Sequence, residues 1–191
     1  MTIKASELRR GQALIYDGKL QVVIGTDHVK PGKGPAYVQA KMKSVDTGTI
    51  KVNRFNSADK VQAVTIDKRP MQFLYDNSGQ GIGPWVFMDN ESYDQLEIGN
   101  DVVEKDQSQW LKDGLEVLVM MYDGNPLGIE MPASVELEIT DTTDQPKAAT
   151  ATNQLKEATV ETGARVRVPP FIEVGQVVKI NTESGEYLGK A

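Results

Sequence analysis

The sequence predicts an all-β chain folded as three small β-barrel domains in series, and three observations carry that prediction. Short runs alternating apolar and polar residues recur along all 191 residues, separated by turns rich in Gly, Pro and Asp. Only one segment, 102–112, has the spacing and caps expected of a helix. Four or five strands in only about 65 residues would close as a small barrel, while the absence of cysteine excludes disulfides and thiolate metal sites.

The first third opens on Ala13-Leu14-Ile15-Tyr16, which turns at Asp17-Gly18 into a strand over 20–24, a tight-hairpin signature. A further strand is predicted at 36–42. Between them lies Lys30-Pro31-Gly32-Lys33-Gly34-Pro35, a lysine between two glycines, bracketed by prolines. The prolines fix φ near about −65° and stiffen the shoulders of this tip. The glycines permit positive φ, so the chain can turn sharply while Lys33 projects outward. An ordinary solvated turn uses the same residue types, and spacing alone does not separate the two. Strands at 49–55 and 61–66 complete a small SH3-like barrel over 1–66.

The middle third, 67–130, has strands at 71–75 and 85–88 around a turn at 76–83. The helix follows, with Asp101 as N-cap, Glu104 completing a capping box, and Gly114 closing it. The apolar run 115–122 then turns at Asp123-Gly124. A strand set with one short helix fits an OB-type barrel. In the last third, 131–191, strands are expected at 135–139, 165–168 and 176–180. The polar stretch 140–162 reads as one long loop.

Charge divides the chain more sharply than hydropathy does. Residues 1–70 hold 13 Lys+Arg against 6 Asp+Glu, residues 71–131 hold 2 against 12, and residues 132–191 hold 6 against 9. A basic first third joined to an acidic middle suggests an elongated molecule whose ends meet different partners. The basic end is the nucleic-acid candidate. No apolar run approaches the roughly 20 residues that span a bilayer, and the N-terminus lacks a signal-peptide core, so a cytoplasmic protein off the membrane is expected.

Catalytic motifs mostly fail. Lys33 lacks the glycine five residues before Gly32 that a Walker loop requires, and Gly79-Gln80-Gly81-Ile82-Gly83-Pro84 is wrongly spaced for a dinucleotide fingerprint. His28 is the only histidine, which leaves no support for a His-based zinc site or a Ser-His-Asp triad. Carboxylates such as Asp89, Glu91 and Asp94 read better as a solvated acidic face than as an acid/base pair. Trp85 and Trp110 are expected in cores. No metal, cofactor or catalytic residue is predicted.

The chain resembles the bacterial elongation factor P family over its full length. The first third contributes His28-Val29-Lys30-Pro31-Gly32-Lys33-Gly34, Ala36-Tyr37-Val38 and Thr47-Gly48-Thr49. The middle adds Tyr75, Val86-Phe87-Met88-Asp89 and Tyr93-Asp94-Gln95-Leu96, and the last third Pro132, Val135-Glu136-Leu137-Glu138-Ile139, Thr162-Gly163, Val168-Pro169 and Ser184-Gly185-Glu186-Tyr187. Initiation factor 5A proteins are relatives with two domains rather than three.

This resemblance implies an SH3-like (KOW-type) barrel followed by two OB-fold barrels. It implies a monomeric, non-enzymatic factor that binds the 70S ribosome between the peptidyl and exit tRNA sites and relieves stalling at consecutive prolines. Lys30, Pro31, Gly32, Lys33, Gly34, Lys41, Lys43 and Arg54 would contact tRNA or rRNA along the acceptor arm of peptidyl-tRNA. A lysine-modifying enzyme would act on Lys33, and the acidic middle would face the ribosomal protein of the L1 stalk. Tyr187 and Lys190 are the C-terminal RNA-contact candidates, Lys190 standing where arginine is frequent in the family. Lys147, Ala148, Ala149 and Thr150 are the codon-facing loop candidates, although many members carry Gly-Asp-Thr where this chain has Ala148-Ala149-Thr150. Two alternatives stay open: the elongation factor P-like paralogue, and a general RNA-binding β-barrel. An enzyme acting through the acidic middle has the least support.

Overall fold

A computed structural model describes residues 1–143 and 155–191. By its contacts the chain divides into two compact units, one of Met1–Lys68 with Met120–Leu127, the other of Arg69–Val119 with Gly128–Ala191. The all-β expectation holds.

The first unit is built on a six-stranded antiparallel sheet. Its strands are β1 (Thr2–Lys4), β2 (Ala13–Tyr16), β3 (Lys19–Val29), β4 (Tyr37–Ser44), β5 (Ile50–Asn56) and β6 (Lys60–Val64), in the order β1-β6-β2-β3-β4-β5. Asp17 and Gly18, at φ 53° and 73°, join β2 to β3. Two positive-φ residues match the right-handed twist of the strands they connect. Alternation sends Leu14, Val23, Ala40, Met42 and Phe55 into one buried cluster with Ala5, Leu8 and Val61. A second cluster joins Ala13 and Val22 to Met120 and Leu127. The tip of a hairpin from the middle of the chain is thus part of this unit's interior.

Strand β3 runs well past the predicted 20–24. It pairs with β4 as far as Val29 opposite Tyr37, across a bulge between Val23 and Gly25. Backbone pairing rather than an apolar side-chain run sustains the far half, which includes Thr26, Asp27 and His28.

Two five-stranded sheets follow. One comprises β7 (Asp67–Asp76), β8 (Trp85–Asp89), β9 (Gln95–Ile98), β10 (Glu116–Tyr122) and β11 (Asn125–Glu130), in the order β11-β10-β7-β8-β9. The other comprises β12 (Ser134–Thr142), β13 (Lys156–Val160), β14 (Arg165–Val168), β15 (Val177–Asn181) and β16 (Tyr187–Lys190), in the order β14-β13-β12-β15-β16. Counted from its own first strand, each sheet has the order 3-2-1-4-5. A parallel bridge between Arg167 and Glu186 draws the ends of the last sheet together.

Two expectations need correction. The helix α1 is only Lys105–Ser108, not 102–112, and it starts after Glu104 rather than Asp101. The Glu104 N–H donates to Gln107 Oε1 at 3.2 Å, while Val102 and Val103 donate upstream to the Gly99 carbonyl. After one turn the bonds tighten to i→i−3, from Trp110 to Gln107 and from Leu111 to Ser108. So short a helix is held by its neighbours rather than by propensity, and Trp110 turns into the core formed by Val135, Leu137, Ile139 and Val178. Trp85 is buried as expected.

The stretch 140–162 is not one loop. Strand β12 continues to Thr142 and β13 begins at Lys156, with Asp141 opposite Thr159 and Thr142 opposite Ala158. Ala158 and Val160 face inward while Glu157 and Thr159 alternate with them. The hydroxyls of Thr140 and Thr142 donate to the carbonyls of Thr159 and Glu157, at 3.1 and 3.0 Å. Alanine and threonine are weak apolar markers, so this alternation escaped the pattern.

Candidate functional site

The β3–β4 arm ends in a seven-residue tip, 30–36, between Val29 and Tyr37. Lys30, Gly32, Lys33, Gly34 and Pro35 are exposed, and Pro31 is half-buried. Only one of the two tip glycines uses its conformational freedom. Gly34 has φ +116°, and a Cβ built there would meet nothing nearer than Pro31 Cγ at 3.8 Å, so backbone conformation rather than space requires glycine. The result is an exposed cation between two proline shoulders at the end of a paired ribbon.

Below the tip, strand alternation assembles a face. Val38, Ala40, Met42 and Ser44 are buried, which leaves Tyr37, Gln39, Lys41 and Lys43 on the outward side of β4. On β5, Arg54 pairs with Gln39, Val52 with Lys41, and Ile50 with Lys43. Three predicted contact residues, Lys41, Lys43 and Arg54, therefore share one surface, while Lys30 and Lys33 lie at the tip. Asp27, opposite Gln39 on β3, adds a carboxylate to the same face. The guanidinium carbon of Arg54 lies 3.7 Å from the centroid of the Tyr37 ring. Tyr37 was not among the predicted contacts. Its place in the 37-39-41-43 alternation was the available signal.

The C-terminal candidates are not brought together. Tyr187 lines a cleft of about 910 Å³ with Trp110, whereas Lys190 Nζ lies 5.4 Å from the centroid of the Phe171 ring. A register shift near Leu188 separates them, with Ile180 opposite Tyr187 but Lys179 opposite Gly189. In that cleft Arg165 and Arg167 are outnumbered by Asp106, Glu157, Glu183 and Glu186, so it lacks the positive excess of a phosphate groove. Lys147, Ala148, Ala149 and Thr150 lie outside the described residues.

The acidic middle uses its best-placed carboxylates structurally. Desolvation pushes the Asp76 carboxyl up, but donors from Ser78 and Gly81 outweigh it and hold it below the usual carboxylate range. Asp89 is held low by the N–H groups of Glu91 and Ser92, at 2.8 and 3.2 Å, with Arg69 3.9 Å away. A general acid needs the opposite shift. Among the described residues no group of three or more His, Asp or Glu is placed to hold a metal ion, and no helix is long and apolar enough to cross a membrane.

Three family models match in sequence along the chain. They are described as the elongation factor P (EF-P) KOW-like domain over 4–61, the elongation factor P (EF-P) OB domain over 66–129, and elongation factor P, C-terminal, over 135–190. The elongation factor P of Acidothermus cellulolyticus is 44% identical over 186 residues, covering 97% of each chain. That of Beutenbergia cavernae is 42% identical over 185 residues, again covering 97% of each. A solved initiation factor 5A from Methanococcus jannaschii superposes with a TM-score of 0.43 at 24% identity, covering 69% of this chain and 94% of its own.

Proposed function

Because this chain belongs to the elongation factor P family and is a translation factor, we propose that it binds the ribosome between the peptidyl and exit tRNA sites. There it positions peptidyl-tRNA and stimulates peptide-bond formation at consecutive prolines. The observation that carries this reading is Lys33, exposed at the end of the β3–β4 arm on the most basic part of the chain.

The physics is that of positioning. A basic face of Lys41, Lys43 and Arg54 gains affinity for a tRNA backbone by releasing counterions. The arm then places Lys33 against the aminoacylated end of the tRNA. Prolyl-tRNA is a hindered and conformationally restricted nucleophile, so productive geometry limits its rate. Holding the tRNA end in a reactive pose removes part of that entropic barrier without any proton or group transfer by the factor. A covalent extension of Lys33 by a lysine-modifying enzyme lengthens the reach of the same device. The acidic middle, with 12 carboxylates against 2 basic residues over 71–131, suits a basic ribosomal protein such as that of the L1 stalk. In this reading the protein acts as a monomer in the cytoplasm.

The test is a polyproline-containing reporter translated in a host depleted of its own factor. The wild-type chain restores synthesis, and Lys33→Ala fails to restore it. Full restoration by Lys33→Ala would sink the reading. Peptide mapping of the protein from its native host reads the mass at Lys33; an unmodified lysine removes the extension and leaves the positioning role.

A further inference from the structure

The outward face of β4 and β5 holds one side-chain pair whose arrangement the tip does not explain. The Arg54 guanidinium lies over the Tyr37 ring at 3.7 Å. Register accounts for the meeting: Tyr37 is opposite Asn56 and Arg54 is opposite Gln39, so the two are diagonal neighbours on one face. Diagonal pairs in a sheet are within reach of aromatic and long side chains. Arg54 is exposed and Tyr37 is half-buried.

Stacking has two consequences for the arginine. The ring covers one face of the guanidinium and leaves its N–H edge open, and that edge is the part that grips a phosphate through two parallel hydrogen bonds. An arginine already held on a ring has surrendered rotamer freedom before any ligand arrives, so less is lost on binding. Asp27 lies two strands away on the same face, opposite Gln39 on β4. Lys41, two positions from Gln39 along β4, supplies a second cation beside the guanidinium.

We propose that Tyr37 is a positioning residue for Arg54, holding its N–H edge toward a backbone phosphate of the tRNA near the base of the Lys33 arm. The proposal rests on the tRNA-binding reading above and adds a specific anchor to it. Tyr37 acts through its ring, not its hydroxyl, and not through any charge of its own.

The experiment titrates labelled full-length protein onto ribosomes carrying peptidyl-tRNA, over a series of KCl concentrations. Arg54→Leu weakens binding about five- to tenfold and lowers the slope of log affinity against log salt by about one. Tyr37→Leu keeps every charge and weakens binding about threefold, whereas Tyr37→Phe keeps the ring and stays within about 1.5-fold of wild type. The double variant Tyr37→Leu/Arg54→Leu binds no more weakly than Arg54→Leu alone, because the ring acts only through the arginine. Wild-type affinity for Tyr37→Leu, or losses that multiply in the double variant, overturns the proposal. Should Tyr37→Leu fail to fold, Arg54→Leu at its exposed site still decides: unchanged affinity and slope overturn the anchor. If Lys33→Ala loses function while Arg54→Leu binds normally, only this proposal falls. If the wild-type protein does not bind such ribosomes, the tRNA-binding reading falls and takes this one with it.

Discussion

Two hairpin tips in the first unit have opposite fates. The tip at 30–36 carries lysine, glycine and proline and stays exposed. The tip at 120–127 carries Met120, Tyr122 and Leu127 around Asp123-Gly124 and is packed against Ala13 and Val22. Both are closed by residues at positive φ, Gly34 in one and Asp123 with Gly124 in the other. Turn chemistry therefore does not decide what a hairpin is for. The side chains flanking the turn do: apolar ones make an anchor, and a lone cation between prolines makes a probe.

The strongest way to break this contrast is to reverse the probe's charge. Lys33→Glu is expected to lower reporter synthesis by about a hundredfold, since misplacing a positioned end is worth that much. Its thermal midpoint should match the wild type, because the Lys33 side chain is exposed at the tip. The converse experiment weakens the anchor. Leu127→Ala should lower the free energy of unfolding by about 2–3 kcal/mol in a urea titration, and an unchanged midpoint would mean that 120–127 is not an anchor.

Smaller changes sharpen the comparison. At φ +116°, Gly34→Ala costs about 1–2 kcal/mol of local strain. An exposed tip relieves such strain by redirecting Lys33, so the reporter should lose several-fold activity while unfolding stays unchanged. A third tip is held by a side chain at its own base. The loop after Asp76 is gathered by that carboxylate, which accepts from Ser78 N and Oγ and from Gly81 and Gly83 N. Asp76→Asn should destabilise the protein by about 1 kcal/mol at neutral pH. The folded carboxyl titrates below its ordinary value of 3.8, so its contribution is complete above that pH and is lost as pH falls through the lower folded value. The gap between variant and wild type should therefore close in acid, and a gap that persists there would deny the carboxylate its role.

Much of the fold was legible because local signals agreed. Asp17-Gly18 and Asp123-Gly124 marked their hairpins, and the alternation in 36–42 marked its strand. What failed was carried by pairing rather than by side-chain pattern. The far half of β3 is polar, and β13 shows only Ala158 and Val160 as inward markers. The segment 102–112 has helical spacing, yet Val103 and Trp110 are each buried where one regular helix does not join them. Within the site, the lysine tip and the basic balance of the first third could be read directly, while Lys41, Lys43 and Arg54 came only from the resemblance. The stacking of Arg54 on Tyr37 could not, because it depends on the β4–β5 register.

The bulge between Val23 and Gly25 sets a rule for the arm's length. Beyond it, Gly25, Asp27 and Val29 pair with the outward residues Lys41, Gln39 and Tyr37, while Thr26 and His28 pair with buried Ala40 and Val38. Inserting or deleting one residue in either strand of the arm would exchange those two sides. The reach of Lys33 can therefore change only in steps of two residues taken from both strands together, about 7 Å at a time. A lysine that must gain a smaller distance cannot obtain it from the backbone. Any finer adjustment has to be made on the side chain itself.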